Sequence, residues 1–139
     1  MERDKRRVLT AGDILAAEDM QREWIATPEW GDENTGVYVR VLTGKERDDF
    51  EDAVTIRKGR DTRVSYNNLR AQLVARACVD EGGQNIFTAD QIEALGQKNA
   101  RTLDRIFMAA QRLSGLTTED MAELAKNSST ARNDGSISG

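Results

Sequence analysis

The chain has 139 residues and a mass of 15.5 kDa, enough for one domain with a single core and no need of metal or disulfide staples. Its hydrophobic content of 38% stands against 32% charged residues with both signs mixed, the make-up of a soluble helical protein, and its net charge of −4 argues against a phosphate backbone as the main partner. The absence of histidine removes Ser-His-Asp and Cys-His catalysis and His-containing zinc sites, and a single cysteine, Cys78, excludes an internal disulfide or a Cys-x-x-Cys site.

No apolar run approaches the roughly 20 residues of a membrane-spanning helix, and Met1 to Arg7 is charged without a following signal core. A mobile leader over residues 1–7 and a cytoplasmic location are therefore expected. Thr10 and Asp13 then form a capping-box pair ahead of Ile14, Leu15, Ala16 and Ala17, which predicts a short helix. From Gln21 to Thr27 the residues turn strand-like, and Pro28 to Asn34 carries turn chemistry. Val37, Val39 and Val41 alternate with Tyr38 and Arg40, the period-two pattern of a half-buried strand. An antiparallel hairpin of Glu23–Thr27 with Val37–Leu42 follows as the simplest topology, and a hairpin of this size needs something to pack on.

Thr43 and Glu46 have capping-box spacing, so a helix is predicted over Gly44 to Arg57, with Phe50, Ala53 and Val54 on one face and Gly59 as its stop. Arg60 to Tyr66 reads as a link with a brief extended piece near Val64. Asn67 is placed to cap a helix whose rows are Leu69, Leu73 and Ala77, then Val74 and Cys78, and this assigns Cys78 to the core. Asp80 to Asn85 is a glycine-containing turn that Ile86 and Phe87 pin to the core. Thr88 and Gln91 open a short helix carrying Ile92 and Leu95. Asn99 caps the clearest helix of the chain, in which Leu103, Ile106, Phe107, Ala110 and Leu113 follow the helical repeat and Gly115-Leu116 closes it. A last short helix is expected after Thr117, with Met121 and Leu124 inward. Residues 127–139, rich in Ser, Asn and Gly, are expected to be a disordered tail. The fold class expected is thus mainly α, within α+β: a small N-terminal β-hairpin packed on a bundle of about four to five helices, one domain over residues 8–126.

No motif composes an active site. Gly44-Lys45 lacks the upstream glycine and the following Ser or Thr of a phosphate loop, and the turn at Asp80 supplies too few carboxylates for calcium. Asp48, Asp49, Glu51 and Asp52 offer carboxylates at helical spacing, which a metal site would use, but acids early in an exposed helix are better explained as a solvated face. Arg57, Lys58, Arg60 and Arg63 form a basic cluster that reads as surface charge able to meet an acidic partner. Of the hairpin aromatics, Trp24 is assigned to the core, while Trp30 and Tyr38 are candidates for an interface. These six residues, Trp30, Tyr38, Arg57, Lys58, Arg60 and Arg63, are the candidate protein-interaction set; no catalytic, cofactor or metal residue is assigned.

The order of short segments carries a resemblance. Leu9-Thr10-Ala11 with Asp13-Ile14-Leu15, Pro28-Glu29-Trp30-Gly31, Val39 to Gly44 with Glu46-Arg47 and Phe50-Glu51, Asn68-Leu69-Arg70, Phe87-Thr88 with Asp90, Glu93 to Gly96, Leu103-Asp104-Arg105 and Ala110 to Leu113 with Gly115-Leu116 occur in this sequence. In that order the chain resembles, over residues 8–126, the tail assembly chaperones of long-tailed bacteriophages and prophages. The resemblance implies a non-catalytic assembly factor that binds the tape measure protein, keeps its apolar helices from aggregating and brings tail tube subunits to it. It also implies self-association, a second and longer product made by translational frameshifting, action in the host cytoplasm and absence from the finished virion; the acidic charge and the lack of a long apolar run lead to the expectation of no nucleic-acid and no membrane partner. The alternatives that the residues leave open are a structural tail or head-tail completion protein retained in the virion, and a metal-dependent enzyme using Asp48, Asp49 and Asp52.

Overall fold

The computed structural model describes residues 5–116 together with 119 and 120. Helix α1, Ala11–Ala16, begins at a reciprocal capping box in which the Asp13 N–H donates to Thr10 Oγ1 at 3.1 Å and the Thr10 N–H to Asp13 Oδ2 at 3.0 Å. None of its residues is buried. Strands β1, Arg22–Ala26, and β2, Gly36–Arg40, pair antiparallel with Trp24 opposite Tyr38 and Ile25 opposite Val37. Their connection passes through a single 3-10 turn, Pro28–Trp30, and is closed by Asp32, whose carboxylate accepts the Asn34 N–H at 2.9 Å while its own N–H donates to Thr35 Oγ1.

Helix α2, Gly44–Ala53, starts at the Thr43–Glu46 capping box, and Glu46 also receives the Arg40 guanidinium at 2.7 Å, tying the helix start to the end of β2. The helix stops at Ala53, short of the expected Arg57. Beyond it, Thr55–Lys58 and Asp61–Val64 form a second antiparallel hairpin, β3 and β4. Four of its residues, Thr55, Ile56, Thr62 and Val64, are β-branched and suit a pleated surface. Gly59, with φ +59°, takes the first place of the two-residue connection, where a positive φ is required. The neck closes where the Ser65 N–H donates to the Val54 carbonyl at 2.6 Å.

Helix α3, Leu69–Ala77, follows Asn68, not the expected Asn67; Asn68 holds φ +56° and makes no side-chain cap. Cys78, expected in a helical row, is already extended, and Cys78–Val79 form β5 on the free edge of β2, with Cys78 opposite Val39. The sheet order is therefore β1-β2-β5. An Asx turn at Asp80, whose Oδ1 accepts the Gly82 and Gln84 N–H groups, returns the chain. After a 3-10 turn at Ala89–Gln91 come α4, Ile92–Leu95, and α5, Ala100–Ser114, which is capped by Asn99 and ends at Gly115 with φ +66°.

The core lies where α5 and α3 pack on each other and on the inner face of the sheet: Leu73, Val74, Ile106 and Ala110 from the helices, Val39 from β2 and Phe50 from α2 are all fully buried. The Leu42 N–H donating to Ser114 Oγ at 3.0 Å ties the far end of α5 to the segment after β2.

The expected architecture, a mainly α bundle of about four to five helices bearing one hairpin, is corrected. The chain is mixed α+β, with a three-stranded sheet and a separate two-stranded hairpin, and its helices do not form a bundle. The reason lies in helix length: α1 buries nothing and α4 has 4 residues, so α3 and α5 are the main helical faces available, and the sheet covers the rest. Of the expected helix after Thr117, residues 119 and 120 are described and are helical, while its Met121 and Leu124, residues 1–4 of the leader and the tail over residues 127–139 lie outside the described residues.

Candidate protein-interaction surface

The parity of β1 decides what the sheet shows to solvent. Ile25 is buried against the core and Glu23 meets Arg112 of α5 at 2.8 Å, so Trp24 stands on the opposite face. Trp24, assigned to the core from sequence, is 50% exposed. Its ring meets Tyr38 edge to face, with centroids 5.3 Å apart, and the Arg22 guanidinium lies over Tyr38 at 4.1 Å. Arg22 is fixed in turn by donating to the Glu81 carbonyl at 2.8 Å. Gly36 permits the stack, because a Cβ there would lie 2.5 Å from the Trp24 ring. Tyr38 is thus the centre of a small aromatic and cationic patch.

Trp30 is not part of that patch. It is half-buried against the core and, with Phe87, Ala94 and Leu95, walls an open cleft of about 620 Å³ whose polar edge is Glu29, Gln91 and Lys98. Arg105 of α5 clamps the 3-10 turn beside this cleft, with Glu29 accepting at 3.0 and 2.6 Å and the Ala26 carbonyl at 3.0 Å. The Arg105 hydrogen bond, with the Glu29 backbone N–H, pulls the Glu29 carboxyl down to about 2.

Arg57, Lys58, Arg60 and Arg63 all lie on the β3–β4 hairpin. Arg57 pairs with Asp52 at 3.1 Å, while Lys58, Arg60 and Arg63 have no ion pair among the described residues. Two acids of α2 pair with its own bases, Asp49 with Lys45 at 3.2 Å and Glu51 with Arg47 at 3.1 Å, and no group of three or more candidate metal ligands converges among the described residues. Burial pushes the Cys78 thiol up to about 12, so it is protonated and inert at neutral pH.

The structure therefore divides the six candidates between three places: Tyr38 on the outer sheet face, Trp30 at the cleft, and the four cations on the second hairpin. Sequence reasoning missed Trp24, whose placement follows from Ile25 once the inward residue is known. It also missed the N-terminal arm, where Val8, Leu9, Ile14 and Leu15 are all exposed, Leu15 by 86%. The signal was present in a helix of 6 residues that is too short to bury a face.

Among the described residues no helix is long and apolar enough to cross a membrane. No curated protein sequence matches the chain. Among solved structures, the bacteriophage HK97 tail assembly chaperone is similar, with a TM-score of 0.52 and 19% identity over 73% of this chain and 90% of that one. That likeness speaks to the fold. A family model described as phage tail assembly chaperone matches residues 13–127, the greater part of the chain. By that match the chain belongs to the phage tail assembly chaperone family.

Proposed function

We propose that this protein binds the tape measure protein of its phage, keeps that protein's long apolar helices soluble, recruits tail tube subunits to it, and self-associates while doing so. It acts without catalysis, nucleic acid or membrane, in the host cytoplasm, and leaves before the virion is complete. The observation that carries this reading is the apolar surface left uncovered by the fold: Val8, Leu9, Ile14 and Leu15 on the arm and Trp24 on the sheet. A holdase for apolar helices needs such surface. Trp24 and Tyr38, flanked by Arg22, offer an aromatic face for a client helix, and Lys58, Arg60 and Arg63 offer charge for its acidic positions.

Co-expression with the tape measure and tail tube proteins tests it. Tape measure protein that becomes soluble and co-purifies supports the reading; tape measure protein left insoluble and unbound overturns it. Recovery of the chain by mass spectrometry of purified particles would point to a structural tail or head-tail completion protein instead.

A further inference from the structure

The three-stranded sheet has one closed edge and one open one. Beyond β5 the turn folds back on the strand, with the Asp80 N–H donating to the Gln84 carbonyl at 2.8 Å and the Ile86 N–H to the Cys78 carbonyl at 3.2 Å. Beyond β1 no strand pairs among the described residues. The ladder fixes what that edge presents. The Val41 N–H donates to the Gln21 carbonyl at 2.9 Å and the Thr27 N–H to the Thr35 carbonyl at 2.8 Å, so Glu23 and Ile25 between them bond to β2, and Arg22, Trp24 and Ala26 turn their backbone groups outward. All three residues are exposed. Arg105 takes the Ala26 carbonyl at 3.0 Å. The N–H groups of Arg22, Trp24 and Ala26 and the carbonyls of Arg22 and Trp24 remain without a strand partner among the described residues. Neither a proline nor a bulge blocks them, since the register runs unbroken from Arg22 opposite Arg40 to Ala26 opposite Gly36.

We infer that this edge binds an extended acidic segment of a partner protein, added antiparallel to β1 as a fourth strand. This is a different mode of binding from the client helix proposed above, since it engages the partner's backbone.

Charge decides what the segment carries. Arg101, Arg105, Met108 and Arg112 follow one another at helical spacing along a single face of α5. Arg105 reaches Ala26 and Arg112 reaches Glu23, so that face runs beside the open edge, with Met108 exposed between them. With Arg22 on the outer face, four arginines border the edge against the carboxylates of Glu23 and Glu29, while Asp104 is turned to Arg70 of α3 at 3.0 Å. A chain of net charge −4 is thus positive along this strip. In the antiparallel register, each residue of the segment that bonds to Arg22, Trp24 or Ala26 lies on the outer face, where apolar side chains pack beside Trp24. The residues between them point inward toward Arg105 and Arg112, where carboxylates fit.

Hydrogen exchange of the full-length chain, read amide by amide by NMR, tests this with a synthetic peptide of about eight residues alternating valine and glutamate. In the free chain the Arg22, Trp24 and Ala26 amides should exchange fast and those of Ile25 and Thr27 slowly. Saturating peptide should slow the first three by at least about 10-fold. A peptide alternating valine and lysine should leave them unchanged, and equal protection by it overturns the acidic assignment. Peptides N-methylated on the valines should lose binding, and peptides N-methylated on the glutamates should keep it, because only the valine N–H groups face β1; any other pattern overturns the added strand. Amides of Arg22, Trp24 and Ala26 that are already slow in the free chain, and slower at higher protein concentration, would assign the edge to a second copy and overturn the inference. Failure of the chain to keep the tape measure protein soluble overturns the proposed function and leaves this exchange result standing.

Discussion

Phe50 is the only buried residue of α2, so this one side chain supplies the apolar hold of the helix on the core. Replacing it with alanine removes a fully buried phenylalanine and leaves a cavity next to α3, which costs about 3–5 kcal/mol. A domain of this size is stable by about 5–15 kcal/mol, so the loss is a large part of the total. At about 3–6 °C per kcal/mol for a domain of this size, the melting temperature should fall by about 10–25 °C. Circular dichroism melts of Phe50→Ala and wild type measure this directly, and urea titration separates a lost contact from a changed unfolded state through the slope. Leu15→Ala is the control. Leu15 is almost wholly exposed, and its truncation should change the stability of the monomer by less than about 0.5 kcal/mol. A Phe50→Ala melt within 3 °C of wild type, or equal shifts for the two variants, would refute the placement of α2 and the arm.

Two further outcomes follow from the geometry. The folded-state pKa of Glu29 is depressed to about 2 from 4.5 by Arg105, so its contribution is present above about 4.5 and disappears as pH falls through 2. Wild type should melt above Glu29→Gln at pH 6, and the two melting curves should converge near pH 2; a gap that stays constant over that range would show that the charge of Glu29 is not what binds the turn to α5. Gly36→Ala would place a methyl 2.5 Å from both the Ile25 carbonyl and the Trp24 ring, forcing the indole off Tyr38 at a cost of about 1–3 kcal/mol. Near-ultraviolet circular dichroism should lose the tryptophan signal, and an unchanged spectrum and melting point would mean that the stack is not as described.

The parts legible in the sequence were those fixed by local chemistry. Thr10–Asp13, Thr43–Glu46 and Thr88–Gln91 form the capping boxes their spacing announces, Asn99 caps α5, and the first hairpin pairs where the valine alternation puts it. What escaped depends on partners distant in the chain. The run from Thr55 to Val64 carries four cations, and reading it as charge hid a hairpin whose Lys58-Gly59-Arg60-Asp61 corner was visible. Cys78 and Val79 leave the helix because β2 needs a neighbour on its second edge, which no local signal records. Of the candidate surface, the half-buried Tyr38 and the exposed cations are groups that composition alone could nominate. Trp24 needed the parity of its strand, and the cleft needed Trp30, Phe87 and Lys98, up to 68 residues apart, to be brought together by the fold.

The neck between Val54 and Ser65 has a consequence for how such a chain diversifies. Val64 at the base of β4 belongs to the core, but one backbone hydrogen bond joins the two ends of the hairpin, its strands pair with each other, and residues 57–61 at its tip are all exposed. Lengthening it at Gly59-Arg60 costs only closure entropy, about 0.6 kcal/mol for each doubling of the loop. The tip can be recharged or extended while α2 and α3 keep their places, which makes it a permissive site for an epitope tag and a place where the sequence can drift without refolding the body beneath it.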